Sequence, residues 1–444
     1  MPTNEKEAAA GLVEFLRACP TAFHAVAEVR ARLDAAGFTY LPEQAPWDVV
    51  PGGRYYTVRN NSSVVAWKVG ADACADGAYH FQMTASHADS PTYKVKAVPE
   101  LVGEGGSLRL DVEAYGGMID HTWLDRPLGV AGRVLVRAGS RVESRLVDIR
   151  QDVCLIPSVA IHLERGSGLA PQLNRAVDLC PLFSAGELAT GAFDEMVAEA
   201  AGCAPADVLA RDLLLVAHEE PRVWGRAGEF VSGARLDDLQ CAYAALSAFL
   251  ATENPRCVTV YACFDNEEVG SGTKQGALST LLADALARTS AALGKTDEEH
   301  RRAIAASMLV SCDNAHAVHP SHPEKMDGAN RCHLNGGLVV KEAANQHYCT
   351  DAFSRAVLVA VLERAGVPYQ TFANRSDVAG GSTLGNLSNV QVSVHAVDVG
   401  CPQLAMHSVF ETAGARDTAL AIDALEAFYD ADLLIDGSDA VELA

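Results

Sequence analysis

Apolar strand-like and helix-like segments alternate along this chain, and that alternation, broken once by a long stretch of different texture, limits its fold more than any other feature. After Asp237, CAYAALSAFLA reads as a helix, VTVYACF as a strand, LLADALARTSAAL as a helix and SMLVSCD as a strand. DAFSRAVLVAVLERAG is then a helix, VQVSVHAVDV a strand and DTALAIDALEAFYDA a closing helix. Such alternation implies an α/β sheet with helices on both faces. The chain opens in the same way. Leu12, Phe15, Leu16, Ala25, Val26 and Val29 give interrupted helical periodicity, with a break at Pro20 and an expected N-cap at Thr21. Tyr55 to Val69 turns strand-like, and a second strand from about His80 ends at His87. From about Lys94 to Phe230 short β-like runs (LRLDVEAY, GRVLVRA, SRLVDI) are separated by Gly-rich turns. The expected organisation is one α/β domain formed by 1–92 and 236–444, interrupted by an inserted β-rich domain at 93–235.

Composition sets bounds on function. With 444 residues, 49% of them hydrophobic, the chain has material for a large core. A net charge of -22 argues against nucleic acid or an anionic membrane surface as the main partner. No run approaches the roughly 18 apolar residues of a membrane helix. The N-terminal MPTNEKEAAAGLVEFLRACP has acids where a signal peptide needs a basic start. The twelve cysteines form no CxxC pair, as expected of reduced thiols in a cytoplasmic protein.

Most residues that could do chemistry lie near strand ends, where open α/β sheets place their ligands. They are His87 with Asp89 (TASHADS), Asp237 with Asp238 (ARLDDLQ), Glu267 with Glu268 (FDNEEVGSG), Asp313 (VSCDNAH) and His407 (LAMHSVF). Two histidines and several carboxylates suit Zn²⁺, Mn²⁺ or Co²⁺ better than a soft thiolate site would. A carboxylate-bridged metal pair needs about five ligand residues plus one free carboxylate as a base, and these segments supply both. Adjacent glutamates could divide the last two jobs. His316, His319 and His322 form an HxxHxxH pattern, but Pro320 inside it argues against one helix face presenting all three. Gly380-Gly381-Ser382-Thr383 lacks the lysine of a phosphate-binding loop.

Taken together, HADSPTYKVK, SGARLDDL, DNEEVGSGTKQGA, SCDNAHAVHP, RSDVAGGSTLGN and PQLAMHS resemble the aspartyl aminopeptidases, a family of zinc metallo-aminopeptidases. The resemblance spans nearly the whole chain. It implies a zinc-peptidase-like α/β sheet interrupted by a β-rich domain used for dimerisation and substrate contact. It also implies two zinc ions per subunit, with Mn²⁺ or Co²⁺ tolerated. His87 and Asp313 would hold the first ion, Glu268 and His407 the second, and Asp237 would bridge them. Glu267 would be the general base, and Asp89 would orient the His87 ring. In related enzymes the peptide bond after the bridging aspartate is cis. His162, His316, Lys341 and Tyr348 become substrate-pocket candidates, with His162 reaching a neighbouring subunit's site. The implied substrates are peptides with an N-terminal Asp or Glu, and the implied assembly is a homododecamer. A dinuclear aminopeptidase of broader specificity and a non-catalytic assembly or cargo protein on the same scaffold are the alternatives.

Overall fold

A computed structural model describes residues 2–74, 79–163 and 173–443. A nine-stranded mixed sheet carries the fold, in the order 39–40, 54–59, 63–69, 258–264, 81–87, 308–312, 395–400, 338–342 and 369–373. Its four central strands, Val258–Phe264, Phe81–His87, Met308–Cys312 and His395–Gly400, run parallel. The period-2 alternation of β-strands explains how this sheet covers both faces. Val64 and Ala66, Tyr261 and Cys263, and Met308 and Val310 point into one cluster with the helices Glu5–Ala18, Ala22–Ala35, Leu236–Ala251, Ala352–Ala365 and Asp417–Asp430. Val65 and Trp67, Val260 and Ala262, and Leu309 point into the other, against Leu281–Ala292 and Asp297–Ala305. Val258–Phe264 and Met308–Cys312 read as near-continuous apolar runs, as expected of parallel strands buried on both faces, whereas Phe81–His87 alternates, with Gln82, Thr84 and Ser86 buried and hydrogen-bonded on its second face.

Thr21 occupies the N-cap position of the second helix as expected, but its hydroxyl engages the His24 ring at 2.9 Å and makes no cap hydrogen bond to the backbone. The 55–69 stretch is two strands rather than one. Asn60 and Asn61, both at positive φ, turn Arg54–Arg59 back onto Ser63–Val69, a conformation asparagine tolerates better than most residues. The expected strand VQVSVHAVDV begins only at His395. Residues 389–394 instead close off the short helix Leu384–Ser388, with Asn389 Oδ1 accepting the Val394 N–H.

Between the two halves of this sheet's sequence, six strands close into a barrel in the order 208–217, 92–102, 108–115, 182–184, 141–155 and 127–138. Tyr93, Val95, Leu110, Val112, Val130, Val134 and Leu213 fill it, and Phe193 and Val197 of Ala192–Ala201 pack into the same cluster. Val409 belongs to that cluster too, so the segment just past His407 is anchored in the barrel's core. A five-stranded sheet has the order 222–224, 230–233, 411–414, 402–404 and 315–316. No helix among the described residues is long and apolar enough to cross a membrane.

Candidate metal centre

The carboxyl ends of the four parallel strands converge on one point. His87 ends its strand beside Phe264 in register, so Glu267 and Glu268 follow within one short turn of it. Asp313 follows Cys312, its N–H donating to Val399 O at 2.9 Å. Asp237 sits where Leu236–Ala251 begins, with non-helical backbone angles and a cis bond to Asp238. His407 has a φ of 66°, and its N–H is held by Glu411 Oε1 at 2.7 Å.

Side-chain geometry suits a cation. His87 Nδ1 is 3.0 Å from Asp89 O, and His407 Nδ1 is 2.6 Å from Gly117 O. If those nitrogens carry the protons, each Nε2 presents a lone pair inward. His87 Nε2 then lies 3.4 Å from Asp237 Oδ1, and His407 Nε2 lies 3.4 Å from Asp237 Oδ2 and 3.5 Å from Glu268 Oε2. Charge-assisted hydrogen bonds are shorter, about 2.7–2.9 Å. Donors about 2.0–2.1 Å from one tetrahedral zinc stand roughly 3.3 Å apart. The observed spacing matches the second case. Oxygens of Asp237, Asp238 and Glu268 are buried without a hydrogen-bond partner, and an unpaired buried carboxylate is costly unless a cation meets it. His87, Asp237, Asp238 and Asp313 bring ligand atoms within 4.8 Å of one another, as do Asp237, Glu268 and His407. The residues present therefore fit zinc; Asp237 is common to these two groups, and His87, Glu267 and Glu268 form a third without it.

Protons feel the same crowding. Burial works against a charged His87, yet the Asp237 and Asp89 carboxylates overcome it and hold the ring well above the ordinary histidine range. His407 is likewise pushed up, to about 10, by Asp237 and Glu268 against its burial. Burial lifts Glu267 to about 8 and Asp313 to about 6, with neighbouring carboxylates adding to both. Asp237 goes the other way: despite burial, the two imidazoles hold it below the usual carboxylate range.

Behind these groups lies a supporting layer. Glu411 accepts the N–H of Asp237 at 3.0 Å as well as that of His407. Asp89 meets the His87 ring chiefly through its backbone carbonyl. Its carboxylate, 3.5 Å from His87 Nδ1, also accepts the N–H groups of Glu267 at 3.1 Å and Glu268 at 3.2 Å and the Tyr115 hydroxyl at 2.7 Å. Glu411 and Tyr115 escaped the sequence reading. Glu411 lies four residues past His407 in an unremarkable FETAG, and Tyr115 ends a barrel strand remote in sequence. Only the glycine pair after Tyr115 hinted at a close approach.

The remaining candidates scatter around this centre. Lys341, at the end of its strand, is buried. Its Nζ donates to Asp313 O at 2.6 Å and lies 3.8 Å from Asp313 Oδ1. Its ammonium stands 5.2 Å from the Tyr348 ring centroid, and Tyr348 is buried against Phe372. His316 lines an open cavity of about 370 Å³ with Lys325, Phe372, Arg375 and Gly380. His319 and His322 stack 5.0 Å apart on an exposed turn and join none of the groups able to hold a metal among the described residues. His162 lies exposed on the turn 161–163.

The family model for Aminopeptidase I zinc metalloproteases (M18) matches residues 15–429. The chain belongs to the M18 family. It is 39% identical over 435 residues to a probable M18 family aminopeptidase 2 of Clostridium novyi, covering 96% of this chain and 99% of that one. A protein so named in Pseudomonas aeruginosa strain PAO1 is 40% identical over 427 residues, covering 94% and 97%. Among solved structures, the mApe1 dodecamer of S. cerevisiae superposes with a TM-score of 0.84 at 27% identity, covering 96% of this chain and 97% of that one. An M18 aminopeptidase of Thermotoga maritima shares the fold, with a TM-score of 0.85 at 22% identity, covering 97% and 99%. The chain is thus a zinc metallo-aminopeptidase, hydrolysing peptides at the N-terminus.

Proposed function

We propose that this aminopeptidase works with two metal ions and prefers peptides that begin with Asp or Glu. One observation carries the two-ion reading: Asp237 offers each carboxylate oxygen to a different imidazole at the same 3.4 Å. In that reading His87 and Asp313 hold one ion, Glu268 and His407 the other, and Asp237 lies between them. When bound, the ion pair supplies Lewis acidity toward the scissile carbonyl and the attacking water. Glu267, left uncoordinated, takes the proton from that water and delivers it to the leaving amine. Asp89 holds Glu267 by its backbone, and the wall of carboxylates receives the substrate's α-ammonium, which confines cleavage to the first residue.

The acidic preference rests on local charge, since the molecule as a whole is negative. Lys341 places a buried cation at the floor of the site, while Lys325 and Arg375 border the cavity beside His316. A substrate carboxylate entering there finds partners that a neutral side chain does not need. His162, Tyr348 and the barrel segment within 93–235 complete the pocket in this reading, His162 from a neighbouring subunit of a homododecamer. Exposed Val159, Ile161 and Leu163 flank His162 and suit such an interface. Turnover of Asp-, Glu-, Leu- and Lys-anilides tests the preference. Asp and Glu should exceed the others at least about tenfold in kcat/KM, roughly what one charge-assisted contact contributes. Equal rates would favour a broad-specificity enzyme, and no turnover with full metal would favour the assembly role.

A further inference from the structure

We propose that Tyr115 is a positioning residue for the base, so that the barrel is part of the catalytic apparatus. This rests on Glu267 as the base. The strand Leu108–Tyr115 delivers the phenol to the seam between barrel and central sheet. There its hydroxyl donates to Asp89 Oδ2 at 2.7 Å and accepts from Asn266 Nδ2 at 2.8 Å. Both partners border the base. Asn266 immediately precedes Glu267 at a φ of 62°, its Oδ1 tied to Thr273 and Gln275 at 2.8 and 2.7 Å. Asp89 receives the N–H groups of Glu267 and Glu268.

One hydroxyl therefore ties Asn266, the residue before this short turn, to the carboxylate that accepts the turn's own N–H groups. The next two barrel residues reach the same centre. Gly116, at a φ of +80°, passes so close that a Cβ there would stand 3.1 Å from Glu268 Cβ, and Gly117 O receives His407 Nδ1. The phenol's hydrogen-bonding capacity is spent inward on Asp89 and Asn266, so it sets geometry and does not touch substrate.

Tyr115→Phe removes only the hydroxyl. The expected result is a fall in kcat on the order of 10- to 100-fold, as small misplacements of a reacting group produce, with KM and bound metal unchanged. In the metal-free protein, hydrogen exchange should quicken at 266–268 and nowhere else. Asn266→Asp, which removes the Nδ2 donor but keeps an acceptor for Thr273 and Gln275 and a residue that tolerates the positive φ, should show the same pattern and serves if Tyr115→Phe fails to fold. Wild-type kcat, unchanged exchange at 266–268, or a loss of kcat that tracks lost metal would overturn the proposal. Glu267→Gln run alongside separates the two ideas: if that variant keeps its turnover, the base assignment itself is wrong.

Discussion

Glu267 and Glu268 are neighbours in sequence with different surroundings. Glu268 faces His407 at 3.5 Å and also the His87 side, while Glu267 reaches only the His87 side, within a trio of His87, Glu267 and Glu268 that could itself hold an ion. That difference supports the division into ligand and base. Glu267→Gln is expected to bind metal as the wild type does and to lose about 10²–10⁴ in kcat, the range of general-base catalysis; kinetics paired with metal analysis check this. A metal-type donor set was legible only from the coincidence of histidines and carboxylates at several strand ends, since each alone is unspecific. What they do with their second hydrogen bonds was not. The carboxylate of Asp89 stays 3.5 Å from His87 Nδ1 but also accepts the N–H of Glu267, while its backbone carbonyl makes the nearer contact with that nitrogen. Lys341 was recognised as important, but no periodicity reveals that its ammonium is bound to the backbone of a metal-ligand candidate.

At the scale of elements, the sheet was readable because strands such as Val258–Phe264 and Met308–Cys312 are apolar runs and its helices are long. The short strands 402–404 and 411–414 were not, since three or four residues carry no period. Yet they set His407 and Glu411 in place. Packing at the strand ends is correspondingly tight. A Cβ on Gly400 would stand 1.9 Å from Asp313 O, and backbone there has no room to yield without shifting a ligand. Gly400→Ala should therefore cost about 1–3 kcal/mol of stability or more, in the range of overpacked cores, and should weaken metal binding as well. Thermal unfolding and metal titration of the variant check both effects. Unchanged metal affinity would show that Asp313 is not held through this contact.

Across the whole molecule, barrel and α/β sheet meet at the metal centre from opposite sides: Tyr115 and Gly117 from one, His87 and Glu267 from the other. Sequence texture announced two kinds of structure but not their meeting, because Tyr115 and Asn266 lie 151 residues apart. Exposed Ile161 and Leu163 extend the same logic outward. Ile161→Asp with Leu163→Asp should shift the assembly toward smaller species on sedimentation and reduce activity, if His162 serves a neighbouring site; an intact assembly would remove this turn from the interface. The most direct test of the two-ion account is anomalous diffraction at the zinc edge from crystals of the loaded enzyme. Two peaks per subunit are predicted, one beside His87 and Asp313 and one beside Glu268 and His407, with Asp237 between them. A single peak, or a pair of which Asp237 touches only one, would contradict it.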